Sequence, residues 1–134
     1  MQKVGILNSH IAKVLADLGH TDKICVGDCG LPVPAGVPKI DLALRFREPL
    51  FIEVVKEMAK YMQIEKIYLA PETKEKNPAQ WKALQEVFPE DKVEWVLLKD
   101  HEELKAWEKD CKAVIRTGEV TPFSNIILQS GVIF

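Results

Sequence analysis

Residues 49–70, PLFIEVVKEMAKYMQIEKIYLA, join an amphipathic helix directly to a buried strand. Pro49 suits the first position of a helix, because the N–H that it lacks would have no partner there. Apolar side chains then recur at the spacing of one helix face, at Phe51, Val54, Val55, Met58 and Met62. Residues 66–70 form a short apolar run typical of a strand. A helix that leads into a strand is a building unit of a layered α/β domain.

Before this segment, too, the sequence predicts a helix followed by strands. The sequence predicts a helix over 9–18, capped by Asn8 or Ser9 and followed by Gly19, and strands over 23–27 and 40–44. The stretch between the two strands, residues 28–38, contains three prolines and two glycines. Proline removes backbone donors and restricts φ, so this stretch is predicted to be a rigid, extended loop that leaves the end of a strand.

The chain after this segment continues the pattern. Capping boxes at 77–80 and 100–103 predict the starts of two more helices. The first helix turns Trp81, Leu84 and Phe88 inward, and the second buries Leu104 and Trp107. Apolar runs predict the remaining strands, over 93–98, 113–116 and 125–129.

Strands that alternate with amphipathic helices predict an α/β fold. We expect a single layered domain over residues 1–134, with a mostly parallel central sheet flanked by helices. No helix separates the last two strands, so some antiparallel pairing is expected near the C-terminus. The apolar tail, Gly131 to Phe134, is predicted to dock on the protein's own core or on a neighbouring subunit.

Composition excludes several classes of protein. Lysine and arginine total 18 against 20 aspartate and glutamate, a formal charge of −2, which argues against a nucleic-acid-binding protein. With 47% hydrophobic residues the chain does not resemble a disordered segment. No apolar run approaches the roughly 20 residues of a membrane span, and no signal-peptide core follows Met1. We therefore expect a compact cytoplasmic domain without a membrane or nucleic-acid partner.

The three cysteines, Cys25, Cys29 and Cys111, are predicted to be reduced thiols, because their number is odd and no export signal is present. A metal site built from Cys25, Cys29, His20 and Asp28 is the less favoured alternative. The spacing of the two cysteines does not match a zinc knuckle, and no second cysteine pair follows. No metal is therefore expected.

Asp28 and His20 are candidates for acid–base chemistry. Asp28 follows a predicted strand, where α/β proteins commonly bind ligands, although its carboxylate could simply bond to amides of the following turn. His20 follows the first helix, whose negative end favours a protonated imidazole, and a nearby Asp28 would add to that effect. The alternative is that His20 only caps the last carbonyls of the helix.

His101 lies in the first turn of a helix, whose positive end favours a neutral imidazole that can accept a proton. The alternative is an ordinary exposed residue. The turn over 116–125 is polar, with a solvent-facing Arg116–Glu119 pair as its simplest interpretation. Neither a glycine-rich phosphate loop nor a nucleophile elbow occurs in the sequence. These absences leave histidine and carboxylate chemistry without a cofactor.

Several motifs, in this order along the chain, resemble the D-ribose pyranase family, which belongs with the fucose mutarotases. They are Asn8-Ser9-His10-Ile11, Leu18-Gly19-His20-Thr21-Asp22, Asp28-Cys29-Gly30-Leu31-Pro32-Val33-Pro34, Ile40-Asp41-Leu42-Ala43-Leu44 and Ile115-Arg116-Thr117-Gly118-Glu119. The resemblance continues to the closing strand and so covers essentially the whole chain. The Gly-Leu-Pro-Val-Pro form of the loop favours the ribose branch of the family.

The resemblance implies a cytoplasmic enzyme that interconverts the β-pyranose and β-furanose forms of D-ribose without a cofactor. It also implies a homodecamer of two stacked pentamers, with sugar sites near subunit boundaries. By the same analogy His20 is the proton donor. The residues that contact the sugar are Asp28, His101, Phe123, Ser124 and Asn125, with Lys105 as a weaker candidate.

Two positions depart from the family pattern. Cys29 stands where the family usually has alanine, and we expect little effect from this small side chain. Phe123 stands where tyrosine is common, so a hydrogen bond from a phenol to the sugar is lost. Two other functions remain open at this point: a mutarotase that exchanges anomers of fucose or another sugar, and a non-catalytic sugar-binding module of a ribose transport system.

Overall fold

A computed structural model describes residues 1–134 of the protein. The helices are α1 (Ser9–Asp17), α2 (Phe51–Tyr61), α3 (Pro71–Lys76), α4 (Pro78–Val87) and α5 (His101–Trp107), and a 3₁₀ turn spans Glu108–Asp110. The strands are β1 (Lys23–Gly27), β2 (Lys39–Asp41), β3 (Ile64–Leu69), β4 (Glu94–Leu97), β5 (Cys111–Arg116) and β6 (Ile126–Ser130). None of the helices combines the length and the apolar character that crossing a membrane requires.

The six strands form one mixed sheet in the order β2-β5-β1-β6-β3-β4. Neighbouring strands are parallel in three pairs, β2–β5, β5–β1 and β3–β4. The last strand, β6, lies antiparallel between β1 and β3. The predicted α/β class, with a mostly parallel sheet and antiparallel pairing near the C-terminus, is confirmed. This order places the carboxyl end of β1 beside the start of β6.

The two faces of the sheet are covered unequally. The larger core contains Phe51, Val55 and Met58 of α2, together with Ile67 and Ile115 of the sheet, and α1 and α4 also pack there. The smaller core, on the other face, is covered by α5 and by the loop over 28–38.

The local signals for helix starts are confirmed. Asn8 accepts hydrogen bonds from the backbone N–H groups of His10 and Ile11. Asn77 and Asp100 accept from backbone N–H groups in the first turns of α4 and α5. Each of these caps satisfies donors that have no partner inside the helix.

Other elements differ from the prediction because tertiary contacts decide them. The second strand ends at Asp41 instead of residue 44, since Leu42 donates to Arg116 O and Arg47 to Gly118 O, which folds residues 42–48 over the end of β5. The first helix ends at Asp17, one residue earlier than predicted, and its C-cap Leu18 is extended; in the turn that follows, Thr21 and not Gly19 has a positive φ. Helix α3, which begins at Pro71, was not expected from the sequence.

The apolar tail does not dock on the protein's own core, so that half of the prediction is wrong. Ile133 and Phe134 are 88% and 100% exposed. Strand β6 ends at Ser130, and the last backbone bond of this segment runs from Gly131 N to Gln63 O. The alternative, docking on a neighbouring subunit, stays a prediction.

Candidate active site

Asp28 lies at the carboxyl end of β1, where the prolines end the strand. Its Oδ1 accepts from Gly30 N at 3.0 Å, and its Oδ2 accepts from Asn125 Nδ2 at 3.1 Å. Asn125 Oδ1 in turn accepts from Asp28 N at 3.0 Å. Burial raises the pKa of Asp28, while the hydrogen bonds from Gly30 and Asn125 act in the opposite direction. The turn bond expected from the sequence is present, and the carboxylate still lines a pocket.

Gly27 makes room for the Asp28–Asn125 pair. A Cβ atom at this position would overlap the Leu31 side chain and lie 2.8 Å from Asn125 Oδ1. Gly27 O also accepts from both the backbone N–H and the hydroxyl of Thr117. The backbone here has little freedom to move away from an added methyl group.

Gly27→Ala is therefore expected to lower the free energy of unfolding by about 1–3 kcal/mol, the usual cost of overpacking a tight site. Urea denaturation measures this change. Gly19→Ala is the matched control, because a Cβ at Gly19 would meet its nearest neighbour, Asp22 Oδ2, at an ordinary 3.6 Å. Equal unfolding free energies for the two variants would contradict the prediction.

His101 faces the same pocket from the first turn of α5. Its backbone N–H donates to Glu72 Oε1 at 3.1 Å, and its ring nitrogen Nδ1 is buried without a hydrogen-bond partner. Burial lowers the pKa of His101, and the ammonium of Lys105 adds to this effect. Because the neutral ring also lines the pocket, it is suited to hydrogen-bond a ligand hydroxyl.

Phe123 completes this side of the pocket. Its ring meets the His101 ring edge-on, with centroids 5.3 Å apart at 87°, and Lys76 Nζ lies 5.1 Å from its centroid. The φ of Phe123 is +60°, and Thr73 Oγ1 donates to its carbonyl at 2.9 Å. The contact of α3 with this turn therefore places an aromatic ring at the pocket.

These side chains surround an open pocket of about 320 Å³, called here the Asp28 pocket. Its lining combines polar and apolar residues and consists of Asp28, Cys29, Gly30, His101, Glu119, Val120, Thr121, Pro122 and Phe123. The volume and the hydrogen-bonding groups suit a small, uncharged, hydroxyl-rich ligand.

Glu119 lines the Asp28 pocket, although the sequence did not indicate it as a site residue. The prediction of a solvent-facing Arg116–Glu119 pair is wrong, because Arg116 Nη1 bonds to Asp41 and Glu119 is buried. Burial acts to raise the pKa of Glu119, but hydrogen bonds from Thr121 and Val120 outweigh it and hold the pKa below its ordinary value. Glu119 thereby fixes the turn that carries Phe123. The sequence could not predict this arrangement, because it depends on the pairing of Arg116 with Asp41, 75 positions away.

Ser124 and Asn125 support the pocket from behind. The Ser124 hydroxyl is buried and bonded to Gln80 Nε2 at 2.9 Å and to Asn77 Nδ2 at 3.2 Å. Both the oxygen and the NH₂ group of the Asn125 amide form hydrogen bonds with Asp28. Neither side chain lines the Asp28 pocket. Lys105 also lies outside the lining and bonds to Glu102 at 2.8 Å.

His20 lies at the other end of β1. The five residues of this strand separate His20 from Asp28 by about 17 Å. His20 Nε2 pairs with Glu65 Oε2 at 3.0 Å. The expectation that Asp28 acts on His20 is therefore wrong within one chain. His20 instead lines a second depression, the tail cleft, formed with Leu15, Leu18, Tyr61–Gln63 and Ser130–Phe134.

The alternative metal cluster finds no support in this arrangement, because β1 separates His20 from Asp28 and Cys29. No group of three or more histidine, cysteine, aspartate or glutamate side chains is placed to hold a metal ion.

Comparison with known proteins gives matches along the whole chain. The D-ribose pyranase of Lactococcus lactis subsp. cremoris (strain MG1363) is 58% identical over 132 residues, covering 98% of each chain. The D-ribose pyranase of Bacillus subtilis (strain 168) is 53% identical over 134 residues, covering 100% of each.

Solved structures match the fold as well. The structure of Bacillus subtilis RbsD complexed with D-ribose superposes with a TM-score of 0.96 at 53% identity, covering 100% of both chains. The Streptococcus pneumoniae fucose mutarotase in complex with L-fucose gives a TM-score of 0.74 at 18% identity, over 96% of this chain and 95% of that one, and shares the fold. Residues 1–133 match the family described as the RbsD / FucU transport protein family. The chain therefore belongs to the RbsD / FucU family.

Proposed function

We propose that the protein is an isomerase that interconverts the β-pyranose and β-furanose forms of D-ribose by acid–base catalysis without a cofactor. The observation that carries this proposal is the full-length similarity, at 53% identity, to a protein whose structure was solved with D-ribose. The Asp28 pocket supports it, because its size and hydrogen-bonding groups suit an uncharged pentose.

Interconversion requires a proton to reach the ring oxygen while the anomeric hydroxyl loses one. Asp28 is suited to hold the anomeric hydroxyl and take its proton, since its raised pKa makes it a stronger base than an ordinary carboxylate. Neutral His101 lines the pocket and is suited to bind a sugar hydroxyl, and Phe123 packs against the sugar ring. Asn125 keeps Asp28 in place, and Ser124 holds the turn behind Phe123.

The proton donor in this proposal is His20, supplied to the Asp28 pocket by a neighbouring subunit. His20 and Asp28 lie at opposite ends of β1, so an oligomer is needed to bring them together. The exposed tail residues beside His20, Ile133 and Phe134, support a subunit contact there. We propose a decamer of two stacked pentamers, on the family resemblance. The three free cysteines support a cytoplasmic location.

NMR magnetisation transfer between the ring forms of D-ribose tests this function. The protein is expected to accelerate pyranose–furanose exchange, and L-fucose is the matched control sugar. Acceleration with fucose alone would favour a mutarotase for that sugar. Saturable ribose binding with no acceleration at any enzyme concentration would indicate a binding module and overturn the proposal.

A further inference from the structure

Three side chains form a hydrogen-bonded chain that ends on His20. The Tyr68 hydroxyl donates to Gln129 Oε1 at 2.5 Å, and Gln129 Nε2 donates to Glu65 Oε1 at 2.6 Å. The other carboxylate oxygen, Glu65 Oε2, contacts His20 Nε2 at 3.0 Å. The chain connects the sheet interior to an imidazole whose side chain is 53% exposed.

The inner end of this chain is rigid. Tyr68 and Gln129 are only 7% and 5% exposed. The Tyr68 ring packs on Trp107 with centroids 4.8 Å apart, and Lys23 Nζ lies about 6 Å from both rings. A buried tyrosine and glutamine on adjacent strands therefore hold the Glu65 carboxylate in one orientation.

The carboxylate determines which way each hydrogen bond points. Hydrogen bonds from Gln129 and then His20 lower the pKa of Glu65, so it is ionised at neutral pH and can only accept. Gln129 must then present its NH₂ group to Glu65 and its oxygen to Tyr68. Burial raises the pKa of Tyr68, which keeps the phenol protonated as the donor. By the same requirement, His20 Nε2 must carry a hydrogen.

The backbone of His20 is held as firmly as its ring. Thr21 N donates to Ser130 O at 2.9 Å, and Gly19 N donates to Asp22 Oδ2 at 2.8 Å. Thr21 itself has a φ of +70°, a conformation that a β-branched residue rarely adopts. Both the turn and the imidazole are therefore oriented before any ligand arrives.

We propose that Glu65 is a positioning residue that holds Nε2–H of His20, so that Nδ1 is the nitrogen that exchanges a proton with the sugar. This inference rests on the proposed function, in which His20 is the proton donor. As the bond between C1 and the ring oxygen breaks, the Nδ1 proton passes to that oxygen, and the C1 hydroxyl loses its proton to Asp28 as the aldehyde forms. Ring closure through the C4 hydroxyl reverses both transfers, so no proton is gained or lost overall.

Substitution of Glu65, followed by NMR of ¹⁵N-histidine-labelled protein in its native assembly, tests the inference. The wild type is expected to show a protected His20 N–H assigned to Nε2. Glu65→Ala is expected to lose this signal and about 10- to 100-fold in kcat, with KM for ribose within about twofold, because only the donor is misplaced. Glu94→Gln, which removes a carboxylate paired with Lys66 instead, is the matched control and leaves both readouts unchanged.

A charge-exchanged double variant separates positioning from charge. In Glu65→Gln alone, Gln129 can accept from the new amide only by rotating its own amide and giving up the bond from the Tyr68 hydroxyl, whereas Glu65→Gln with Gln129→Glu keeps Tyr68 as the donor and a donor opposite every acceptor. The double variant is expected to recover the Nε2–H signal and most of kcat. Recovery of the signal without recovery of kcat would overturn the positioning role, as would a protected N–H in the wild type that is assigned to Nδ1 in place of Nε2.

The two proposals fail in different ways. If the wild type does not exchange the ring forms of ribose, the proposed function is wrong, and the NMR signal still reports on the contact between Glu65 and His20. If the wild type exchanges ribose and Glu65→Ala retains both signal and rate, the positioning role alone is overturned.

Discussion

Two impaired variants, His20→Ala and Asp28→Asn, are expected to regain about one quarter of the wild-type ring-exchange rate when their chains are mixed in one oligomer. Each variant alone is expected to lose about 10²- to 10⁴-fold, the usual contribution of an acid–base group. The reason is the geometry of β1, which places the two side chains at opposite ends of a five-residue strand. A site that takes one residue from each of two subunits can be intact in a mixed oligomer.

The size of the recovery follows from random mixing. Each site has an even chance of receiving an intact His20 and an even chance of receiving an intact Asp28, which leaves about one site in four intact. Co-expression with two different tags, followed by purification through both, provides the mixed oligomers. The rate is measured by magnetisation transfer on D-ribose.

A mixture of His20→Ala with His20→Asn chains is the matched control, because both chains carry their defect in the same half of the site. This mixture is expected to stay at the rate of the single variants. If the mixture of His20→Ala and Asp28→Asn chains also stays at the rate of the single variants, although both chains are present in the oligomer, the proposal of a site shared between subunits is wrong.

Replacement of Glu108 by glutamine is expected to raise the free energy of unfolding at pH 8 by about 3 kcal/mol. Glu108 follows α5 and is 0% exposed, and neither of its carboxylate oxygens has a hydrogen-bond partner. Burial raises its pKa from the ordinary 4.5 to about 7, and Lys105 opposes the change. The other ionisable groups that interact with it are the buried thiols of Cys25 and Cys111.

The raised pKa determines the sign of the pH dependence. Between pH 4.5 and about 7 the folded protein keeps the Glu108 proton that the unfolded chain has released. The folded state therefore binds more protons, and the stability associated with Glu108 is full below pH 4.5 and is lost as the pH rises to about 7. Glutamine does not titrate, so the Glu108→Gln variant does not lose this stability as the pH rises.

Urea denaturation of the wild type and Glu108→Gln at several pH values measures the effect. The difference in the free energy of unfolding between the two proteins is expected to be small near pH 4.5 and to reach its full size above pH 7. Glu86→Gln on the exposed face of α4 is the matched control and should leave stability within about 0.5 kcal/mol. A Glu108→Gln protein that is no more stable than the wild type at pH 8 would show that the folded protein tolerates this charge.

Local patterns predicted most of the elements and part of the site. The caps at Asn8, Asn77 and Asp100 act within one helical turn, so they can be identified from adjacent residues. Asp28 was placed correctly at a strand end because the following prolines cannot continue the strand. Helix α3 has a starting proline at Pro71, but its six residues carry too short a pattern to predict.

The residues that the sequence did not indicate are charged groups with distant partners. Glu119, Glu65 and Glu108 look like ordinary surface carboxylates in a chain that is 28% charged. Glu119 is buried by the turn it organises, Glu65 contacts a histidine 45 positions away, and Glu108 is fully buried at the start of the 3₁₀ turn after α5. No local rule distinguishes them from their exposed neighbours.

By itself the sequence determined the α/β class, the mixed sheet and the residues that resemble the family. These properties depend on periodicity, capping and turn chemistry, which act over a few neighbouring residues. Only the tertiary structure decided that Asp28 pairs with Asn125, 97 positions away, and that His20 lies at the far end of β1. The pairing of β1 with β6 brings Asp28 beside Asn125, and the extended length of β1 separates His20 from Asp28.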